Sequence, residues 1–201
     1  MSALGKLRVF AAIELPPELT ERLAGIMAEL GPMLPRKSIR WARAEGIHLT
    51  LKFYGEVASD RLPALQQSLK TAAASAHPMS LEAGSLGVFP NPFRPRVLWV
   101  GLAGDVQNLR ALQKAIDALS TPLGFKPEAR DFTPHLTLGR FHGSLRLPER
   151  EKLVEALKDP RYAQFGALTA ETLSLIRSDL KPGGAVYTRL FAAPLGISPN
   201  T

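Results

Sequence analysis

The sequence predicts an α+β fold made of two similar lobes, and the main observation behind this prediction is a repeat. The tetrapeptide HLTL occurs at residues 48–51 and again at residues 135–138. Around each copy the same order of patterns appears: strand, helix, HLTL strand, helix, strand. No polar linker long enough to separate independent domains is visible. We therefore expect residues 1–201 to form a single domain of two similar, interleaved lobes related by an approximate two-fold axis.

The first half of the chain contains three kinds of pattern that define its elements. A nearly continuous apolar run is typical of a strand buried on both faces, apolar residues three and four apart indicate a helix, and alternation indicates a half-buried strand. The proline pair at 16–17 is typical of a helix start. The first half thus predicts a strand at 8–15, a helix from 16 to 30, extended segments at 38–46 and 47–57, a helix over 59–76, and strands at 81–89 and 97–102.

The segment around the first HLTL determines which side chains share a face. Side chains of a strand alternate between its two faces. Alternation places four apolar residues on the core face: Ile47, Leu49, Leu51 and Phe53. His48, Thr50 and Lys52 are then expected together on the opposite face.

The second half repeats this order after the strand at 97–102. Leu109, Leu112, Ile116 and Leu119 have helical spacing, and a Pro/Gly break separates them from the second HLTL strand. The remaining elements are a strand at 132–141, a short helix near 148–158, and two closing strands at 168–178 and 185–195 that are joined by the turn sequence LKPGG.

Composition limits the classes of function. Basic residues give the 201-residue chain a net charge of +7, which favours a polyanionic partner such as nucleic acid. The chain has no cysteine, so disulfides, thiolate nucleophiles and cysteine-based zinc sites are excluded. The N-terminal apolar run is interrupted at Glu14 and is too short for a signal peptide or a membrane span. We therefore expect a cytoplasmic protein that does not bind a membrane.

The paired motifs predict a catalytic site. His48 and Thr50 share one face of a strand, and so do His135 and Thr137. If the two strands meet at the two-fold axis, two imidazoles and two hydroxyls surround one small volume. Histidine is available in either protonation state near neutral pH, so one imidazole can act as a base while the other acts as an acid.

This arrangement is suited to phosphodiester hydrolysis. A base removes the proton of the attacking water, and an acid protonates the departing sugar oxygen on the far side of phosphorus. The threonine hydroxyls can donate to the non-bridging oxygens, where negative charge accumulates. This chemistry requires no metal, and we expect neither a metal nor a cofactor.

The paired HxT motifs resemble those of the 2H phosphoesterase superfamily, and within it the chain is similar to the RNA 2′,3′-cyclic phosphodiesterases, also called 2′-5′ RNA ligases. The resemblance extends over nearly the whole chain, through stretches such as RVFAAIELPPEL, RWARAEGIHLTLKFYGEV and LSLIRSDLKPGGAVYTRL. It implies a bilobal α+β fold with antiparallel sheets lining a central cleft and helices outside. It also implies that the enzyme opens 2′,3′-cyclic phosphate ends of RNA to 2′-phosphates, and that RNA ends are in some cases joined reversibly through a 2′-5′ linkage.

The resemblance also indicates the residues of the site and the partners. His48 and His135 are the catalytic residues, and Thr50, Thr137 and Arg140 bind phosphate. We assign His48 as the acid and His135 as the base, although symmetry also allows the reverse. The substrates are RNA with cyclic phosphate ends or cyclic nucleotides, and we expect a monomer without a protein partner.

The assignment of Arg140 to the phosphate site requires a local irregularity in its strand. With strict alternation its side chain would face away from Thr137, so Gly139 must introduce a bulge that turns Arg140 toward the phosphate. The HxT face could also include Lys52, which we do not assign to the site. Five further residues have open roles, as contacts for RNA or as packing and surface residues: Phe93, Arg94, Arg96, Arg130 and Phe132. His77 and His142 are expected to lie outside the site.

Three alternatives are open at this point. The substrate could be another cyclic or 2′-5′ nucleotide, which a substrate panel would distinguish. The chain could instead be a binding module that holds an RNA phosphate end without catalysis, although binding alone does not need two titratable groups. A metallohydrolase is the weakest alternative, because neither motif histidine has a metal-ligand spacing such as HxxxH.

Overall fold

The computed structural model describes residues 5–35, 37–182 and 184–196. These residues form four α-helices: α1 (Pro17–Leu30), α2 (Leu62–Ala74), α3 (Val106–Ser120) and α4 (Leu147–Lys158). They also form nine strands: β1 (Lys6–Glu14), β2 (Ile39–Trp41), β3 (His48–Ala58), β4 (Met79–Phe89), β5 (Val97–Gly104), β6 (His135–Phe141), β7 (Gly166–Ala170), β8 (Thr172–Lys181) and β9 (Gly184–Pro194). Short 3₁₀ turns connect several of them.

The strands form one antiparallel sheet with two matching halves. The order is β7-β4-β5-β6-β3-β1-β8-β9, and β2 pairs with β6. We call β3, β1, β8 and β9 the first half-sheet and β6, β5, β4 and β7 the second. The two halves join through the pair Leu49–Leu136, one residue of each HLTL. The predicted duplicated α+β architecture is therefore confirmed, with the two motif strands at its centre.

The helices cover one face of the sheet, and they do not all pack against the half-sheet of the strand that precedes them. α2 and α3 pack on each other and contact β3, β8 and β9, and α3 also contacts β4, whereas α1 contacts β7 and α4 contacts β4. Thus α1 follows β1 in the chain but packs against the other half-sheet. Leucines and isoleucines of the helices fill the core, which is continuous across both halves. β1 is buried on both faces as predicted, because Phe10, Ala12 and Ile176 form a second small cluster on its other side.

A β-bulge changes the faces of β3. The pairing with β1 passes from Ala11–Lys52 to Ala12–Thr50, so Leu51 is the extra residue. Leu49 and Leu51 face the core as predicted, but the parity then changes and Lys52 is only 2% exposed. The prediction that Lys52 shares the face of His48 and Thr50 is therefore wrong. Phe53, predicted for the core, lies on the face of the two motif residues because the bulge re-aims it.

The first closing strand is also different from the prediction. Residues 168–178 form two strands that are separated at Glu171, because β7 pairs with β4 and β8 pairs with β1. The buried positions change parity at this point, from Leu168 and Ala170 to Leu173 and Leu175. The break allows the chain to pass from the second half-sheet to the first.

The extended segment at 38–46 is shorter than predicted. Only β2 is a strand there, and a 3₁₀ turn at Ala44–Gly46 leads into β3. None of the helices in the described ranges is long and apolar enough to cross a membrane. The single domain over residues 1–201 stays a prediction, and its outermost residues lie outside the described ones.

Candidate active site

The two HxT motifs meet where the half-sheets join. Because Leu49 pairs with Leu136 in antiparallel register, the register places His48 opposite Thr137 and Thr50 opposite His135. All four side chains line one cavity of about 370 Å³. The structure therefore brings together the four motif residues in the diagonal arrangement that an approximate two-fold axis produces.

Each imidazole is held by the backbone just before its own strand. Nδ1 of His48 lies 2.7 Å from the carbonyl oxygen of Gly46, and Nδ1 of His135 lies 2.8 Å from that of Thr133. A carbonyl oxygen only accepts, so each Nδ1 carries the proton and donates it. In the neutral ring Nε2 is then the nitrogen with the free lone pair, which is the atom that an acid or base uses.

The two histidines have different charge environments. Burial is the main influence on His48 and lowers its pKa, while the hydrogen bond to Gly46 and the carboxylate of Glu14 act to raise it. Burial also lowers the pKa of His135, while the hydrogen bond to Thr133 acts to raise it. The nearby guanidinium of Arg140 lowers it further. The neighbouring charges thus favour the imidazolium form at His48 and the neutral form at His135.

Aromatic rings support both imidazoles. Phe10 stacks on His48 with 4.4 Å between ring centroids, and the ring of Tyr187 meets His48 edge-on at 5.0 Å. Phe89 meets His135 edge-on at 5.0 Å. These contacts limit the motion of each ring and supply the apolar surroundings that lower both pKa values.

Tyr187 approaches the loop that holds His48 very closely. A Cβ at Gly46 would lie 2.9 Å from Cε2 of Tyr187, so only glycine fits there without a shift. The same glycine supplies the carbonyl oxygen for His48. The contact therefore joins β9 to the hydrogen bond that orients the imidazole.

Arg140 lies in the site because of a second bulge. The pairing of β5 with β6 passes from Leu98–Gly139 to Trp99–Thr137, so Leu138 is the extra residue. Arg140 is exposed and lines the cavity with His135 and Thr137. A Cβ at Gly139 would lie 2.8 Å from Cδ1 of Ile39, so glycine is needed for the approach of β2. The bulge required for Arg140 is therefore present, one residue before the expected position.

The cavity has residues that the sequence did not single out. They come from β1, β2, the segment after β2, β3 and the β8–β9 hairpin: Arg8, Phe10, Arg40, Arg43, Phe53, Ser178 and Tyr187. Only the basic residues of 38–46 offered a sequence signal, because charge on an extended segment next to a motif strand indicates a binding surface. The others depend on the bulge in β3 and on the curl of the first half-sheet, which a single sequence does not encode visibly.

Several candidates from the sequence lie outside the cavity. Phe93, Arg94 and Arg96 belong to the exposed loop after β4, and Phe93 is 73% exposed. Arg130 is exposed, and Phe132 packs partly against the core. His77 and His142 are exposed and do not line the cavity, as predicted.

A buried ion pair lies on the core side of the first motif strand. Nζ of Lys52 is bonded to the carboxylate of Asp117 on α3 and donates to the carbonyl oxygen of Lys126 at 2.8 Å. Asp117 also accepts from Gln113 at 2.8 Å. The bulge in β3 is therefore fixed to α3 and to the segment that leads toward the second motif.

Two histidine-x-threonine strands that pair at the centre of a duplicated antiparallel sheet define the 2H class of proteins. Comparison with known proteins supports this class over most of the chain. The profile of the LigT-like phosphoesterases matches residues 13–99 and, a second time, residues 100–187. The two matches correspond to the two halves of the repeat.

Curated relatives and solved structures agree with the profile. The chain is 32% identical to the RNA 2′,3′-cyclic phosphodiesterase of Methanothermobacter thermautotrophicus over 91% of this chain and 96% of that protein. It is 33% identical to the protein of the same name from Aeropyrum pernix, over 85% of this chain and 91% of that protein. A crystal structure from Thermus thermophilus superposes with a TM-score of 0.76 at 27% identity, over 94% of this chain and 98% of the other. The crystal structure of E. coli LigT complexed with 3′-AMP superposes with a TM-score of 0.75 at 25% identity, over 94% of this chain and 98% of the other.

The chain belongs to the LigT-like phosphoesterase family. The resemblance found in the sequence is thereby confirmed, and so is the expectation of a phosphoesterase.

Proposed function

We propose that this protein hydrolyses 2′,3′-cyclic phosphate ends of RNA to 2′-phosphates by acid–base catalysis with two histidines and without a metal. The observation that carries the proposal is the shared cavity of His48, Thr50, His135 and Thr137, in which each imidazole has a defined donor at Nδ1. The names of the relatives support the substrate class, since they are RNA 2′,3′-cyclic phosphodiesterases.

The reaction proceeds by in-line attack of water on phosphorus. Nε2 of His135 accepts a proton from the water as the new P–O bond forms, and the protonated Nε2 of His48 gives its proton to the 3′-oxygen as the P–O3′ bond breaks. The product has a 2′-phosphate and a free 3′-hydroxyl. Exchange of one proton with the solvent then restores both imidazoles.

The charges around the histidines support this assignment of acid and base. Glu14 favours a protonated His48, which an acid needs, and Arg140 favours a neutral His135, which a base needs. Their diagonal placement fits reaction on opposite sides of phosphorus. The same arrangement accepts a 5′-hydroxyl in place of water, and this attack would join two RNA ends through a 2′-5′ linkage.

The remaining polar groups stabilise the charge that develops on the phosphoryl oxygens. The hydroxyls of Thr50 and Thr137 donate to the two non-bridging oxygens, one from each half of the site. The guanidinium of Arg140 adds a charge-assisted donor from the side of the base. Because all three are fixed on strands, they need little rearrangement as the reaction proceeds.

Phosphorus NMR in the presence of a chelator tests the proposal. We expect the protein to open both a 2′,3′-cyclic nucleotide and an oligonucleotide with a cyclic phosphate end, and the chemical shift of the product identifies the cleaved oxygen. His48→Ala and His135→Ala should each reduce the rate by about a thousandfold, because the two groups act in one step.

Two other histidines provide matched controls. His77→Ala and His142→Ala remove exposed imidazoles outside the cavity and should leave the rate unchanged. Full activity in either motif variant would contradict the acid–base mechanism. A folded wild-type protein that binds the oligonucleotide but opens neither substrate would favour the binding module instead.

A further inference from the structure

The cavity contains more positive charge than one phosphate requires. Four arginines line it: Arg8, Arg40, Arg43 and Arg140. Its lining includes no carboxylate among the residues that the structure describes. A cyclic phosphate has one negative charge, and a phosphate monoester has about two near neutral pH. The reacting phosphate alone therefore does not balance Arg8, Arg40 and Arg140.

Arg40 and Arg140 form the least expected part of this cluster. The two residues are direct partners across the antiparallel strands β2 and β6. Like charges in directly opposite positions destabilise a sheet. Both side chains are exposed, and the ion pairs found in the described residues involve other arginines. A bound anion would remove this repulsion.

Arg40 belongs to a different part of the cavity from the motif residues. Its strand pairs with β6 beyond the point where β3 leaves it, so Arg40 lies beside Arg140, away from the Leu49–Leu136 junction. Nη2 of Arg40 lies 3.8 Å from the position that a Cβ would take at Gly184, the first residue of β9. The guanidinium thus extends toward the rim formed by the opposite half-sheet.

The aromatic residues of the cavity indicate what kind of anion fits. Phe53 and Tyr187 line it with 41% and 39% of their surfaces exposed, and the guanidinium of Arg8 lies 4.5 Å above the ring of Phe53. Exposed rings interleaved with cations are typical of surfaces that bind single-stranded nucleic acid, because bases stack on the rings while cations hold the phosphates.

We propose that Arg40 forms a second phosphate subsite, which binds the phosphate on the 5′-oxygen of the terminal nucleotide while the cyclic phosphate occupies the two-histidine centre. This inference rests on the proposed function and specifies its substrate. The protein acts on the ends of RNA chains in preference to free cyclic mononucleotides, because a chain supplies the second phosphate and the mononucleotide does not.

The test compares three substrates at several salt concentrations. They are adenosine 2′,3′-cyclic phosphate, the same compound with a 5′-phosphate, and the dinucleotide ApA with a 2′,3′-cyclic phosphate end. We expect wild-type kcat/KM to be about tenfold higher for the dinucleotide than for the compound without a second phosphate. The slope of log kcat/KM against log salt should be steeper by about 0.7 for the dinucleotide, as expected for one additional phosphate contact with a single strand.

Arg40→Gln isolates the subsite. We expect this variant to lose most of the preference for the dinucleotide and the additional salt dependence. Arg110→Gln removes an exposed arginine on α3, outside the cavity, and is the matched control that should keep both. The thermal midpoint of Arg40→Gln without substrate should be no lower than that of the wild type, because the variant removes a repulsion.

The outcomes separate the two proposals. If Arg40→Gln lowers kcat/KM by the same factor for all three substrates, or behaves like Arg110→Gln, the second subsite is refuted while the proposed function stands. If the wild type opens none of the substrates, the proposed function itself fails. The 5′-phosphorylated compound should share the preference, because it also has a phosphate on the 5′-oxygen. A preference confined to the dinucleotide would show that the second nucleoside is recognised instead and would refute the phosphate subsite.

Discussion

The two half-sites of the cavity have the same backbone but different charges. His48, Thr50 and Phe53 have the same spacing in β3 as His135, Thr137 and Arg140 in β6. Both strands have a bulge at the residue after the threonine, and both histidines donate from Nδ1 to the carbonyl oxygen two residues earlier. The repeated geometry thus fixes where each imidazole lies and which nitrogen is free.

The differences are at the neighbouring positions. Glu14 pairs with His48 across β1 and β3, whereas Gly101 pairs with His135 across β5 and β6. Phe53 occupies the position that Arg140 has in the other half. The comparison shows how a duplicated site obtains two different roles: the strands keep the imidazoles equivalent, and the charges beside them favour one as acid and the other as base.

The largest effect that tests this difference involves the leaving group. A good leaving group such as 4-nitrophenolate does not need a proton from an acid. We expect His135→Ala to lose about a thousandfold in rate with a 4-nitrophenyl phosphodiester, and His48→Ala to lose much less. Both variants should lose similar factors with the cyclic nucleotide. Release of 4-nitrophenol measures the first reaction, and the reverse order of losses would exchange the acid and the base.

The next prediction concerns stability and the residue that follows each bulge on the core side of the sheet. This residue is Lys52 in β3 and Gly139 in β6. Lys52→Met leaves the mostly buried Asp117 without its cation, so we expect the free energy of unfolding to fall by about 3 kcal/mol. Urea unfolding measures it. Lys52→Met combined with Asp117→Asn should recover part of the loss, and Arg177→Gln, in a more exposed pair, should change it much less. An unchanged midpoint in Lys52→Met would show that the pair contributes nothing to stability.

Substitutions at the equivalent positions Arg140 and Phe53 should have a smaller effect on activity. Arg140→Gln removes the charge-assisted donor and should lower kcat/KM for the cyclic nucleotide by about ten- to a hundredfold. Phe53→Leu keeps an apolar side chain and should change it less than Arg140→Gln does. Equal losses in steady-state kinetics would mean that the two positions contribute similarly despite their different chemistry.

The smallest effect is a displacement of the pH profile. The alkaline limb of kcat/KM reports the acid of the free enzyme, and the acidic limb reports the base. Glu14 acts to raise the pKa of His48, so Glu14→Gln should lower that pKa and move the alkaline limb to lower pH. Arg140 acts to lower the pKa of His135, so Arg140→Gln should move the acidic limb to higher pH.

Glu14→Gln keeps one side-chain oxygen that can accept from Ser174 and Arg189, which both donate to Oε2 of Glu14. Glu18→Gln changes an exposed carboxylate on α1 that does not line the cavity and is the control. A profile that is identical in Glu14→Gln and the wild type would exclude Glu14 as the source of the difference.

The sequence was sufficient for the centre of the site and insufficient for its rim. Repetition of HLTL predicts both histidines, both threonines and the two-fold arrangement, because alternation along a strand is reliable over four residues. Alternation fails at Lys52 and Phe53, because the extra residue Leu51 exchanges the two faces of β3. Arg140 could be proposed only together with a bulge, and the bulge is set by pairing with β5 rather than by any local signal.

The rim depends on contacts between distant parts of the chain. Tyr187 reaches His48 because the first half-sheet curls, and Arg40 faces the cavity because β2 pairs with β6. The basic residues of 38–46 indicate a binding surface, but neither contact can be derived from the sequence, since each is fixed by packing between strands rather than by local periodicity. The expectations of a monomer and of a cytoplasmic protein stay predictions.

The position of β8 has a consequence for synthesis on the ribosome. Glu14 on β1 and Ser174 on β8 are neighbours in the first half-sheet but are separated by 160 residues in the chain. The strands of the second half-sheet, from Met79 to Ala170, all emerge before β8 does. Such non-local pairing is slow. We expect the nascent chain to complete the second half-sheet, which carries His135, first. The first half-sheet, which carries His48 on β3, can be completed only after β8 and β9 have been synthesised.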